Sequence, residues 1–100
     1  MYRGTTPTLQ VRVTGVDVSE LSGIYLTIRQ GDAEITKGRD DIILESGNTI
    51  SARLSQEDTL RFAKGHAWVQ LRATTKGGLA LASEIKVLPV EEILKDGVIP

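Results

Sequence analysis

The feature that most narrows the fold of this chain is a period-two alternation of apolar and polar residues. It is interrupted about every eight to twelve residues by turn-forming glycine, asparagine, aspartate or serine. Successive side chains of a strand point to opposite faces, so a chain written this way buries one face of each segment and leaves the other in water. Leu9, Val11 and Val13 are expected on one face, with Thr8, Gln10, Arg12 and Thr14 on the other. Ile24, Leu26 and Ile28 alternate in the same way with Tyr25, Thr27 and Arg29, and Gln30-Gly31-Asp32 reads as the turn that follows. A third strand runs from Ala33 to Lys37 around Ile35, and a fourth from Asp41 to Ser46 with Ile42 and Leu44 inward. The tight turn Ser46-Gly47-Asn48 leads into a fifth, where Ile50, Ala52 and Leu54 face in and Ser51 and Arg53 face out. Farther on, Ala67, Val69, Leu71 and Ala73 alternate with Trp68, Gln70, Arg72 and Thr74. Lys76-Gly77-Gly78 then turns the chain into a last strand through Leu79, Leu81, Ile85 and Val87, which Pro89, lacking an N–H, is expected to end.

One segment breaks the pattern. In Leu54 to Phe62, Ser55 can cap free backbone N–H groups and Asp58, three residues on, can reach back to complete a capping box. Glu57 suits the positive end of the helix dipole, Arg61 and Lys64 suit the negative end, and Gly65 supplies a residue that closes a helix in the left-handed conformation. A helix is therefore expected over 55–63, too short to stand alone, docked by Leu60 and Phe62 and crossing from one sheet to another. About seven short strands with one crossover helix make an all-β chain, an antiparallel immunoglobulin-like sandwich. With 100 residues it is one domain, residues 1–100, with an extended N-terminal arm at 1–7 and a C-terminal tail at 90–100 that has room for a turn of helix at 91–95.

Composition excludes several classes of function. Twelve basic and 13 acidic residues leave a net charge of −1, so no general field draws the chain to nucleic acid or an anionic membrane. No run is long enough to span a bilayer, and Met-Tyr-Arg-Gly-Thr-Thr-Pro-Thr lacks the apolar core of a secretion signal. The absence of cysteine excludes disulfides, thiolate metal sites and cysteine nucleophiles. His66, the one histidine, has no carboxylate or hydroxyl at a motif spacing and reads as a solvated loop residue. The acid pairs Asp40-Asp41, Glu57-Asp58 and Glu91-Glu92 lack the placement that acid-base or calcium chemistry needs, and Gly31 and Gly77-Gly78 are turns rather than a phosphate loop. Ser55 serves as a cap, Ser83 lies within a strand, and neither stands in a nucleophile elbow. No catalytic, cofactor-binding or metal-binding residue is expected.

Trp68 is the residue that points to a function. By alternation it shares the polar face of its strand with His66, Gln70 and Arg72, and tryptophan with arginine is the pairing enriched at the centres of protein interfaces. Either a partner buries it, or the helix or the C-terminal tail folds over it. Tyr25 and Arg29 repeat the pattern on another strand, which makes Trp68, Arg72, Gln70, Tyr25 and Arg29 the candidate protein interface. A stripe for single-stranded nucleic acid would hold more than the four aromatic residues present and a basic balance.

Several segments together resemble small proteins encoded in phages and prophages of Firmicutes. They are Arg3-Gly4-Thr5-Thr6-Pro7-Thr8, Ile24 to Gly31, Leu54 to Phe62, Val69 to Ala73 and Ala82 to Ile85, and the likeness spans almost the whole chain. Such proteins lie among tail and other virion genes, and the expected sandwich is similar in kind to the N-terminal domain of phage baseplate upper proteins. The resemblance implies a non-enzymatic structural or assembly protein, in the virion tail or the bacterial cytoplasm during assembly, with other phage structural proteins as partners. Homo-oligomers are expected, and Gly4 to Thr8 could add to a neighbour's sheet. The rival reading is a free immunoglobulin-like module for a cell-surface glycan or host protein. It requires the 15–23 loop, the 37–41 loop and the Lys76-Gly78 turn to gather at one end.

Overall fold

A computed structural model describes residues 1–45 and 47–100. The two sheets follow from the alternation. β1 (Thr8–Arg12), β5 (Thr49–Arg53) and β4 (Ile42–Leu44) form a three-stranded sheet in the order β1-β5-β4. β2 (Leu21–Gln30), β3 (Ala33–Lys37), β6 (Gly65–Thr75) and β7 (Ala80–Ala82) form the second in the order β3-β2-β6-β7, and β8 (Lys86–Val90) also pairs with β6. All these pairings are antiparallel. In immunoglobulin lettering, β1, β5 and β4 are B, E and D, and β3, β2 and β6 are C′, C and F, with β7 and β8 sharing the place of G. Among the described residues no strand takes the place of A beside β1.

The core lies between the sheets. Val13, Ile24, Leu26, Ile28, Ile35, Ile42, Ile50, Ala52, Leu54, Ala67, Val69, Leu71 and Ala73 are buried, as their alternation requires, while Leu9, Val11 and Leu44 pack against them partly buried. Gly31, at φ +57°, takes the first central position of the two-residue β2–β3 loop, where a hairpin needs positive φ and glycine adopts it without strain. Ser51, expected outward, is 2% exposed, and its hydroxyl donates to Glu45 Oε1 at 3.0 Å. The Ser46 part of the predicted β4–β5 turn lies outside the described residues.

The crossover helix is present but shorter than expected. α1 spans Gln56–Leu60 and joins β5 of one sheet to β6 of the other. Its capping box is complete: Ser55 Oγ accepts from the Asp58 N–H at 3.1 Å, and Asp58 Oδ2 accepts from the Ser55 N–H at 2.9 Å. Its other end differs from expectation. Gly65 has φ +136°, outside the left-handed helical well, and already opens β6. The free carbonyls of the last turn go instead to Arg3, whose Nε donates to Phe62 O at 2.6 Å and Nη2 to Leu60 O at 3.3 Å. A distant guanidinium does the work that a C-terminal glycine usually does. Phe62, 1% exposed, anchors the segment in the core, and the buried Thr59 hydroxyl donates to Thr5 O at 2.9 Å.

The last predicted strand is divided. β7 and β8 both lie along β6, but their registers differ by one residue, and Ser83 marks the slip. Ser83 N–H donates to Leu71 O at 2.8 Å, whereas Leu71 N–H turns to the Ser83 hydroxyl at 2.9 Å rather than to its carbonyl. A one-residue slip exchanges the two faces. Leu81 and Leu88 therefore turn inward, while Val87 and Ile85, expected beside Leu81 in the core, are 57% and 60% exposed. Leu79, 66% exposed, lies in the turn before β7. The described residues thus form eight strands rather than about seven.

Pro89 does not end the ladder but lies inside β8, opposite His66. Its carbonyl accepts from the Met1 ammonium at 2.8 Å, so its missing N–H faces the strand's outer edge, where proline removes no ladder bond. Residues 91–95 form no helix. The N-terminal arm is engaged within the chain: Arg3 N–H donates to Glu91 O, Glu91 N–H to Met1 O, and Tyr2 forms a parallel bridge with Glu91. The segment expected to reach a neighbour's sheet is bonded to its own. No helix among the described residues is long and apolar enough to cross a membrane.

Candidate protein interface

The five residues singled out by alternation lie on one face. β2 and β6 pair so that Arg29 stands opposite Trp68, Thr27 opposite Gln70, and Tyr25 opposite Arg72. Residues directly opposite in an antiparallel pair project to the same side, which here is the solvent side, because Ile24, Leu26, Ile28, Val69, Leu71 and Ala73 fill the other. The arrangement contains two aromatic–arginine pairs in opposite orientation about the Thr27–Gln70 step. Cross-strand side chains on one face stand about 5 Å apart, within reach of a guanidinium on the ring opposite.

Trp68 is 48% exposed and Tyr25 56%, so neither α1 nor the C-terminal tail covers this face. The tail is held at α1 instead, where Gln56 Nε2 donates to Ile99 O at 3.1 Å and Ile99 N–H donates to Gln56 Oε1 at 2.9 Å. Val87 lies opposite Trp68 on its other side and extends the apolar row. Sequence alternation placed Val87 in the core, because the slip at Ser83 depends on a hydrogen bond to β6 that has no local signal. Polar bonds hold the floor of the face: Thr27 Oγ1 meets Thr36 Oγ1 at 3.0 Å, and Gln70 Nε2 donates to Ser83 O at 3.0 Å. Between Tyr25 and Arg72 lies a shallow depression of about 270 Å³, rimmed also by Thr74 and Ala80.

The charge of the face is positive. Arg29 and Arg72 form no ion pair among the described residues, although Glu34 stands opposite Arg29 in the register. The ion pairs lie elsewhere. Lys37 Nζ meets Asp58 Oδ2 at 2.7 Å and ties α1 to β3; Arg3 meets Glu92 at 2.6 Å and Asp96 at 3.5 Å. Burial raises the Asp58 carboxyl, but the Lys37 ammonium and the Ser55 N–H outweigh it and hold the group below its ordinary value. The Ile93 N–H, which donates to the Glu92 carboxylate, lowers that group from its ordinary value, with the Arg3 guanidinium second.

His66 is exposed beside Pro89, Asp40 and Asp41 form a 3-10 turn before β4, and Asp58 is engaged in capping. No group of three or more histidine, aspartate or glutamate side chains converges as a metal site among the described residues. The loops gather only in part. Val18 N–H donates to Gly47 O, and Lys76 N–H donates to Glu20 O, which brings the 15–23 loop to the Lys76-Gly78 turn. No backbone bond among the described residues ties the 37–41 loop to them, and Gly38 lies against the Tyr25 ring. No family model, curated protein or solved structure matches the chain.

Proposed function

We propose that this protein is a non-enzymatic structural or assembly component of a phage or prophage, associated with the tail or baseplate, and that it acts through protein contacts made by the outer face of the five-stranded sheet. The observation that carries the contact reading is the exposed Trp68–Arg29 and Arg72–Tyr25 pairs on one rigid, uncovered surface. Aromatic and arginine anchors are the residues whose burial gives protein interfaces most of their energy, and fixing them on adjacent central strands lowers the entropy lost on binding. The resemblance of the segments around Ile24, Leu54 and Val69 to phage-encoded proteins supports the setting. Virions from an induced lysogen should contain the protein by mass spectrometry alongside other tail proteins; its absence from particles that hold those proteins would overturn the structural reading.

A second reading is a free binding module for a glycan or a host protein. The gathering of the 15–23 loop, Gly47 and the Lys76-Gly78 turn at one end favours it, and Asp17 and Glu20 stand there as exposed acids. Replacing Trp68 and Arg72 together by alanine separates the two. Loss of assembly with sugar binding unaffected supports the face; assembly and sugar binding both retained supports the loops.

A further inference from the structure

We infer that the unpaired edge of β1 and the cleft beside it form a seat for a strand donated by another polypeptide. This is the place of strand A, which no strand among the described residues takes, and it is a site distinct from the aromatic face. The cleft has a volume of about 820 Å³ and runs between β1 on one side and β6, β7 and β8 on the other. Its floor is apolar: Leu9, Val11, Leu81 and Leu88 are only partly buried around it, although each points inward.

The chemistry of the edge selects the occupant. Val13 N–H donates to Asn48 O, and Leu54 N–H donates to Pro7 O, at the two ends of the β1–β5 ladder. In an antiparallel ladder the bonded positions alternate, so Leu9 and Val11 direct their backbone groups to β5, while Thr8, Gln10 and Arg12 direct theirs to the open side. A row of N–H and C=O groups at this spacing is satisfied by an extended backbone. β1 offers about 17 Å of such edge, enough for five residues of guest strand. Every second guest residue would face the apolar floor.

Charge narrows the partner further. Arg12 and Lys86 line the cleft against a single acid, Glu84, and neither cation has an ion pair among the described residues. The guest is therefore an alternating apolar strand that carries at least one carboxylate. The described terminal segments are engaged elsewhere. Met1 to Arg3 are bonded along Pro89 to Glu91, and the C-terminal tail is held by Gln56.

The test is selection from a random dodecapeptide display library on the intact protein, counter-selected on the Gln10→Pro variant. The Gln10 N–H points away from β5, so proline there removes a docking donor without breaking the β1–β5 ladder. Enriched peptides should alternate in hydrophobicity, carry an acid, and protect the Gln10 and Arg12 amides from hydrogen exchange. They should bind Gln10→Pro at least tenfold more weakly, weaken again on Lys86→Glu, and bind the Trp68→Ala/Arg72→Ala variant unchanged. That last arm separates this seat from the proposed assembly face. Circular dichroism checks that Gln10→Pro is folded, and deletion of the Gln10 side chain by Gln10→Ala, which keeps the N–H, should preserve binding. Three results would overturn the inference: no enrichment over the counter-selection, equal binding to Gln10→Pro, or occupation of the seat by a second copy, read as self-association that Gln10→Pro abolishes.

Discussion

Two sets of strand edges meet opposite fates. Along Pro89 to Glu91 the outer edge of β8 is covered by Met1 to Arg3, and Arg3 also closes the end of α1 and reaches Glu92 and Asp96. Along β7 and the start of β8, and along β1 across the cleft, backbone groups and partly buried leucines stay uncovered. The backbone chemistry is the same in both stretches. What differs is whether a side chain from far along the sequence arrives to pin a covering segment. Edges left in this condition invite another strand, and a protein that covers half of one shows that the other half is not beyond the reach of its chemistry.

The contrast can be broken first at the covered end. Phe62→Ala removes the buried ring that fixes the α1 segment and should cost about 3–5 kcal/mol in denaturant unfolding. A loss below about 1 kcal/mol would mean that the crossover is not anchored in the core. Arg3→Ala leaves the Leu60 and Phe62 carbonyls without their donor and should cost on the order of 2 kcal/mol. It should also speed amide exchange at Arg3 and Glu91, turning the covered end into an exposed edge. Arg3→Lys should rescue little, because one ammonium cannot serve two carbonyls and a carboxylate as a guanidinium fork does.

Asp58 gives the pH-dependent test. Its folded-state value lies below the ordinary one, so the carboxylate's contribution is complete above about pH 4 and is lost as pH falls through the depressed value. Asp58→Asn should cost about 1 kcal/mol at neutral pH and flatten the acid limb of the stability curve. An unchanged acid limb would remove Asp58 and its Lys37 pair as the cause. The smallest expected effect is at the open edge, where Gln10→Pro should change thermal stability by less than about 1 kcal/mol while Val11→Pro, whose N–H bonds β5, unfolds the sheet far more. Equal effects of the two would refute the assignment of inward and outward backbone groups on β1.

Much of this architecture is legible in the chain. Ile24, Leu26 and Ile28 against Tyr25, Thr27 and Arg29 define the two faces of β2, and Ala67 to Arg72 do the same for β6. Because these two strands pair without a break from Ile24 to Arg29, the candidate interface residues found by alternation land on one surface. The capping box at Ser55 and Asp58 is equally local, since both partners lie within one helical turn. The other end of that helix was not legible. Arg3 lies 57 and 59 residues from the carbonyls it closes, and nothing near Gly65 announces it.

Local pattern suffices for the sandwich, the short crossover helix and the polarity of each face, because side-chain periodicity and end-capping act over a few residues. Long-range contacts set three things: that Ser83 slips the edge strand by one residue and turns Val87 outward, that Trp68 remains uncovered, and that one edge is closed while, among the described residues, no strand pairs with the outer edge of β1. Each depends on backbone groups or side chains that meet across the sheet from distant positions. Periodicity fixes which way a residue faces within its strand, whereas long-range hydrogen bonds fix what lies opposite it.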